Sequence, residues 1–403
     1  MDLRTFENDQ MPGSLVPIAG TDPTTGPWEH YAFVADPLAL RDPDLSGATY
    51  RQVARAHAAL ARLDAAARQL PNPRLLRQPV LRREAQSTSA LEGTYAPLAE
   101  VLAEDEHAPT SMNLREIFNY LLMAEQAFEW MSDSRPLTAG LLADLQGTLV
   151  RGTPSERTWP GQIRGEQVVI GRRSEAAPDE PPVKAARFIP APPGQDLQAR
   201  VRELVDWISA TGDHVDTLDP VVAAAMAHYQ FETLHPFHDG NGRVGRLLIV
   251  MHLLTAGVLV EPTLSVSPWF EARRTDYYEH LHAVSCNGAW DAWIRFFATG
   301  LEASAIDTHR RMTGLLDARD QLLDKLGRSP LRSATARTLV DLAVARSSFT
   351  VKQAAAHLSV SYARANKLIA QLVELELLAP VSETATYDRR FHAPAVTDVL
   401  LAA

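Results

Sequence analysis

Twelve consecutive residues, His235-Pro236-Phe237-His238-Asp239-Gly240-Asn241-Gly242-Arg243-Val244-Gly245-Arg246, bring together a titratable base, a carboxylate, a glycine-rich turn and two guanidinium groups. That set suits phosphate chemistry. Gly240 and Gly242 permit a turn whose successive backbone N–H groups point inward, and the apolar run 247–254 that follows predicts a helix starting there, with its positive dipole end at the same spot. Arg243 and Arg246 lie three apart, share a helix face and can hold two phosphates of a polyphosphate chain. Asp239, at the mouth, suits Mg2+, which takes one or two carboxylates alongside phosphate oxygens. A transition-metal cluster of His235, His238 and Asp239 is the competing reading. The two guanidiniums oppose it, because they repel a divalent ion with no phosphate in between. His238 reads as a spacer and Phe237 as an anchor in the core.

The element before the turn places the base. Asp219-Pro220 supplies an N-cap and a first-turn proline, and Val222, Met226 and Tyr229 recur at helical spacing. The helix should end near His235, because Pro236 drives the residue before it out of the α region. The imidazole then projects from a helix end into a loop.

Taken together, the segment resembles the signature of the Fic family, His-x-Phe-x-Asp/Glu-Gly-Asn-Gly-Arg-x-x-Arg, with every fixed position filled. The resemblance implies a mainly α, Fic-type helical bundle with a small β-hairpin flap, and transfer of AMP from ATP to a Ser, Thr or Tyr hydroxyl of a target protein or of the chain itself. It makes His235 the general base and Asp239 the magnesium ligand. The backbone of Gly240 to Gly242, Asn241 and the helix start through Val244 and Gly245 would line the phosphate site, with Arg243 and Arg246 on the outer phosphates. By the same resemblance Tyr277 and Tyr278 lie near the nucleoside and Ser285 faces the adenine. Gly242 separates the chain from the related Doc-type kinases, which carry lysine there. Two other readings stay open: a DNA-binding regulator whose pocket senses ATP, and transfer of another nucleotide.

Upstream, Thr88-Ser89-Ala90-Leu91-Glu92-Gly93 is by itself a helix C-terminus, with Gly93 free to take the left-handed closing conformation. A glutamate is disfavoured there by the helix dipole, so Glu92 should have a partner. Beside the signature the stretch resembles the family's inhibitory motif, Ser/Thr-x-x-x-Glu-Gly/Asn. The resemblance implies that Glu92 pairs with Arg246 and denies it to the γ-phosphate of ATP, as an intramolecular inhibitor. Between the two motifs, residues 161–171 carry β-branched side chains between turn formers and predict a short hairpin. It resembles the family's flap, with Val168, Val169, Ile170 and Gly171 at an edge to which a target strand could add. Residues 186–193 read as a proline-stiffened connector.

Bulk properties narrow the classes. At 403 residues the chain exceeds one ordinary core. A formal charge of −10 and a pI near 5.7 give no reason for bulk nucleic-acid or membrane binding. Cys286 is the one cysteine, which fits a reducing compartment, and the first fifteen residues hold acidic groups and no apolar core, unlike a secretory signal. A cytoplasmic protein is the expectation.

The organisation follows in order. Residues 1–45, rich in Pro, Gly, Asp and Thr, read as an extended arm lying on the surface or loosely ordered. Residues 46–110 form a helical region with a break at Asn72-Pro73, and 111–305 the catalytic domain with helices over 114–131, 137–150 and 197–211. Residues 306–330 hold a charged linking helix. Residues 331–403 follow helix-turn-helix order with a strand pair at 378–381 and 389–392, a winged helix-turn-helix. There Ser361, Tyr362, Arg364, Asn366 and Lys367 surround the recognition helix. Eight basic against six acidic side chains in this last segment are a modest excess for DNA, so DNA, another protein and a homodimer partner all remain open.

Overall fold

Helices carry the architecture, and the computed structural model describes residues 1–6, 9–22, 26–69, 74–158, 160–331, 333–382 and 389–402, residues 74–76 by backbone alone. The chain opens with strands β1 (Gly13–Asp22) and β2 (Gly26–Ala35), then helices α1 (Gly47–Arg68), α2 (Arg74–Leu91), α3 (Leu98–Ala103), α4 (Met112–Ser132) and α5 (Ala139–Leu149). Strand β3 (Ile170–Arg172), the short α6 (Pro182–Ala185) and β4 (Ala186–Phe188) follow, and then α7 (Gln195–Ala210), α8 (Pro220–Leu234) and α9 (Asn241–Thr255). After α10 (Ser267–Glu271) and α11 (Arg274–Asn287), α12 runs unbroken from Trp290 to Arg328. The last segment holds α13 (Ala334–Ala345), β5 (Phe349–Thr350), α14 (Val351–Leu358), α15 (Tyr362–Glu374), β6 (Ala379–Pro380), β7 (Arg390–His392) and α16 (Pro394–Leu401).

Two compact units result, and neither is one continuous stretch of chain. The first comprises Met1–Leu60, Leu122–Val260 and Trp269–Ala303, the second Ala61–Leu121, Glu261–Pro268 and Ser304–Ala403. Among the described residues no helix is long and apolar enough to cross a membrane.

In the first unit α8 and α9 form the centre. Almost every residue of both helices is buried, as expected of helices apolar all round. They pack tightly at Gly245, where an added Cβ would stand 2.5 Å from Glu232 Oε1 and 3.0 Å from the Phe231 ring. Asp219 caps α8, accepting from the backbone N of Val221 (2.8 Å) and Val222 (3.3 Å), while His57 Nε2 donates to the same carboxylate at 3.0 Å. Burial raises the Asp219 pKa, but His57 and the two amides outweigh it and hold the carboxyl below its ordinary range. A cap of this kind contributes about 1 kcal/mol.

Three sequence expectations are corrected. Residues 1–45 are not a loose arm: β1 and β2 pair antiparallel from Gly13↔Ala35 to Asp22↔Gly26, and Phe6, Ala32, Phe33 and Ala35 are buried with Val183, Phe188 and Ile189. A two-stranded sheet has an outer edge on each strand, which accommodates Pro17 without breaking the ladder. The hairpin expected within 161–171 is absent. Only Ile170–Arg172 is a strand, and its partner is Ala186–Phe188, part of the predicted connector. Third, the linking helix is the continuation of α12, about 58 Å long at 1.5 Å per residue. The expected break at Asn72-Pro73 lies outside the described residues.

In the second unit, ion pairs tie α3 and the loop after it to distant parts of the chain. Arg82 on α2 donates to Glu106 (2.7 Å), and Arg390 on β7 donates to Asp105 (3.0 Å) and to Ser348 Oγ. Strands β5, β7 and β6 form a three-stranded antiparallel sheet in that order. Ser361 caps α15 by accepting from Arg364 N, and Ser361, Tyr362, Arg364 and Lys367 are exposed.

Candidate active site

The end of α8, the turn after it and the start of α9 make one continuous site. His235 closes α8 in the left-handed conformation (φ 48°, ψ 59°), its N donating to Phe231 O at 3.0 Å. A non-glycine residue pays about 1–2 kcal/mol for that conformation. The half-buried imidazole turns Nδ1 to Glu232 O at 3.3 Å. A carbonyl only accepts, so this contact requires the proton on Nδ1 and leaves Nε2 of the neutral ring as a base.

The turn is braced on several sides. Gly240 takes φ +85°, and a Cβ there would meet Leu149 Cδ2 at 2.6 Å. Asn241, the first residue of α9, closes the loop on itself: its Oδ1 accepts from Phe237 N and its Nδ2 donates to Phe237 O, both at 2.8 Å. Both ends of the Asn241 amide thus hold the loop. The backbone N–H groups of Asn241, Gly242 and Arg243 precede the first N–H of α9 that can bond within the helix, at Val244 to Gly240 O. They form the donor end of the helix. Gln146 on α5 adds a strut, donating to Asp239 O (3.1 Å) and accepting from Gly161 N (2.7 Å).

Asp239 lies at the mouth with its side chain 41% exposed. Its Oδ2 accepts from Ser155 Oγ at 2.5 Å; its Oδ1 accepts from Gly240 N at 2.6 Å and Arg243 Nη2 at 3.3 Å. Partial burial raises its pKa, but the Arg243 charge and the Ser155 and Gly240 donors prevail and lower it overall. Arg243 and Arg246 are 3% and 1% exposed. Nε and Nη1 of Arg243 and Nη1 of Arg246 meet no hydrogen-bond acceptor among the described residues, although both side chains have other interactions. Among the described residues no three His, Cys, Asp or Glu side chains gather as metal ligands.

Several predicted site residues lie elsewhere. Val244 and Gly245 face the core and α8. Tyr277 is fully buried, its OH 2.7 Å from His228 Nε2, and His228 Nδ1 is 3.0 Å from Gly245 O. Ser285, 2% exposed, pairs with the Tyr229 hydroxyl at 3.0 Å. Of the residues expected near the nucleoside, Tyr277 and Ser285 thus each have a hydroxyl that answers a buried polar group. Tyr278 is half-buried under Arg274. In the flap, Val169 and Ile170 pack on the cluster of Met1, Phe6, Phe33 and Phe188, Val168 is half-buried and Gly171 has φ +63°. Glu92 follows the end of α2 and is exposed, with Gly93 at φ +95°.

Sequence reasoning missed Ser155, Gln146 and Arg164. Arg164 is 1% exposed, and its guanidinium donates to four backbone carbonyls: Nε to His235 (2.8 Å), Nη1 to Glu166 (3.1 Å), and Nη2 to Ala191 (2.5 Å) and Leu234 (3.4 Å). Burial lowers its pKa to about 10, so it stays charged near neutral pH. The sole sequence signal is an arginine among β-branched residues in the predicted flap.

The buried histidines set an acid limit on the fold. Burial, reinforced by the Arg246 charge, lowers the His228 pKa to about 3, and burial lowers His252 to about 4. The unfolded chain protonates both near 6.5. Their contribution is therefore complete above pH 6.5 and declines as pH falls below it, by about 1.4 kcal/mol per pH unit per histidine, until the folded values are reached. Unfolding stability should drop by roughly 4 kcal/mol between pH 6.5 and 5, and a His252→Gln variant should lose about half of that drop. Urea unfolding at the two pH values measures it; identical midpoints would contradict the assignment.

The comparisons with known proteins agree with this geometry. The Fic/DOC family N-terminal model matches residues 50–129 and the Fic/DOC family model residues 136–253. Over 146 residues, 36% of this chain, the sequence is 31% identical to "Protein adenylyltransferase fic-1" of Caenorhabditis elegans, covering 23% of that protein. Over 138 residues, 34% of this chain, it is 36% identical to "Protein adenylyltransferase Fic" of Drosophila erecta, covering 23% of it. The chain thus spans about a quarter of the length of these curated relatives. The fold is similar to the crystal structure of a Fic family protein from Desulfovibrio desulfuricans G20, with a TM-score of 0.53 and 21% identity over 88% of this chain and 98% of that one. Two Fic/DOC family models thus match in series within residues 50–253, and the signature inside the second is complete from His235 to Arg246.

Proposed function

We propose that the chain is a protein adenylyltransferase. The carrying observation is the left-handed His235, with Nδ1 turned to Glu232 O, beside a glycine turn that opens α9. In this reading the triphosphate lies against the N–H groups at the start of α9, with Arg243 and Arg246 on its outer phosphates. His235 Nε2 takes the proton of a Ser, Thr or Tyr hydroxyl as its oxygen attacks the α-phosphorus. The bond from that phosphorus to the β-bridging oxygen breaks, and pyrophosphate leaves. AMP remains esterified to the target or to the chain itself. A target strand adding to the edge of the flap at Val168 to Gly171 would present the hydroxyl.

Asp239 fits magnesium. It is a single carboxylate with a lowered pKa, and three donors occupy three of its roughly four lone-pair sites. Asp239 would hold the ion against the phosphates, where it neutralises charge on the leaving pyrophosphate. The test is the intact mass of the chain after incubation with ATP, with and without a magnesium chelator. One adenylyl group is gained, and chelation lowers the yield at least 100-fold, in the range of a lost charge-stabilising partner. An unchanged yield under chelation would remove the metal from the account.

Glu92 is the proposed inhibitor, and a reducing, cytoplasmic setting is consistent with Cys286 as the one cysteine. For residues 331–403 we infer a winged helix-turn-helix. The order of α13, α14, α15 and the β6–β7 pair supports it, and the exposed Ser361, Tyr362, Arg364 and Lys367 at the start of α15 give it a polar contact face for DNA or protein.

A further inference from the structure

We propose that Arg164 is a positioning residue that locks His235 in its working conformation; the activity arm of this proposal rests on the adenylyltransfer reading. The carbonyls at a helix C-terminus have no partner within the helix and carry the negative end of its dipole. Arg164 addresses three successive ones: its side chain donates to Leu234 O and His235 O, and its backbone N donates to Pro236 O at 2.9 Å. The peptide on each side of the imidazole-bearing residue is therefore held from one point.

The same guanidinium reaches Glu166 O and Ala191 O, so the grip is anchored in the segments before β3 and after β4. No carboxylate partner of Arg164 is seen among the described residues. All of its recorded bonds are to backbone carbonyls, which makes its fork specific for a chain conformation and not for an acidic side chain. That conformation is the strained one. His235 at φ 48° is the only non-glycine left-handed residue in the signature, and strain of this kind persists only where the surroundings enforce it. From there Nδ1 reaches Glu232 O and Nε2 is left as the base. If the grip is released, the backbone can return toward the β region that Pro236 favours for the residue before it, and the imidazole moves away from the α9 turn without any loss of phosphate ligands.

The test compares wild type, Arg164→Ala and Arg164→Lys in the full chain, with two readouts. In steady-state AMP transfer, Arg164→Ala should lower kcat about 100-fold, the scale of an ångström's misplacement of a reacting group, with KM for ATP within about two-fold, because the α9 turn is untouched. Added guanidinium ion should restore part of the rate, and sodium at equal ionic strength should not. In long-range 1H–15N NMR, the His235 ring should show a single Nδ1–H tautomer in wild type and a tautomer mixture in the variant. A folded Arg164→Ala chain with wild-type kcat, or with the His235 tautomer unchanged, would overturn the proposal, as would a KM for ATP that rises in step with the fall in kcat. Should the alanine variant fail to fold, Arg164→Lys keeps the charge and stem without the fork and should still lose rate and tautomer. If wild type itself transfers no AMP, the adenylyltransfer reading fails alone and the NMR readout decides on Arg164.

Discussion

A His235→Ala chain should transfer AMP about 10³-fold more slowly than the parent, in the middle of the range for a lost general base, while binding ATP with affinity within about two-fold. The separation follows from the layout. The imidazole stands at the end of α8, and the N–H groups and Arg243 proposed to hold the phosphates belong to the turn and α9. Alanine at φ 48° is itself strained, so His235→Asn is the better control, because asparagine tolerates the left-handed region. Both should lose rate alike. Rates measured with α-labelled ATP, alongside nucleotide titration, check the expectation. A variant of either kind with more than a tenth of the parent rate would leave the base unidentified.

Glu92→Gly should move activity the other way, raising AMP transfer by about 10- to 100-fold. A charge-assisted carboxylate–guanidinium pair contributes about 1.5–3 kcal/mol, and under the proposed inhibition ATP would have to overcome such a pairing to claim Arg246. The substitution should cost the fold little. Glu92 is exposed beyond the C-terminus of α2, where a negative charge is unfavourable and glycine is a common closing residue. Assaying Glu92→Gly and Arg246→Ala singly and together separates the explanations. Inhibition through Arg246 predicts that the gain disappears when Arg246 is gone. A gain that persists there would locate the effect of Glu92 elsewhere, and no gain at all would remove it as an inhibitor.

What could be read in advance depended on how local the determining interaction is. The signature was legible because its residue types carry their chemistry: glycines for a turn, arginines for phosphate, a proline that ends α8 at His235. The Asp219 cap and the spacing of Val222, Met226 and Tyr229 were equally local. The β1–β2 hairpin was hidden because Pro17 and the glycines at positions 13, 20 and 26 obscure the alternation that marks a strand. The flap strand Ile170–Arg172 could be suspected from its side chains, but its partner lies beyond α6, and no pattern within residues 161–171 specifies it. The partner of Tyr277 was hidden for a related reason. A tyrosine near a signature suggests a ligand contact, yet the buried His228, two helical turns before His235, needed a hydroxyl for its second ring nitrogen. Arg164 left no more trace than an arginine in the predicted flap, because its partners are backbone carbonyls, which every residue has.

The central claim is that the pocket exposes the α-phosphorus of ATP to a hydroxyl activated by His235. Parallel incubations of the Glu92→Gly chain with ATP labelled at the α- or at the γ-phosphate, followed by protein precipitation, test it most directly. Protein-bound label from the α position alone, absent in His235→Ala, is the predicted result. Label arriving from the γ position instead, or α label that survives the loss of His235, would contradict it.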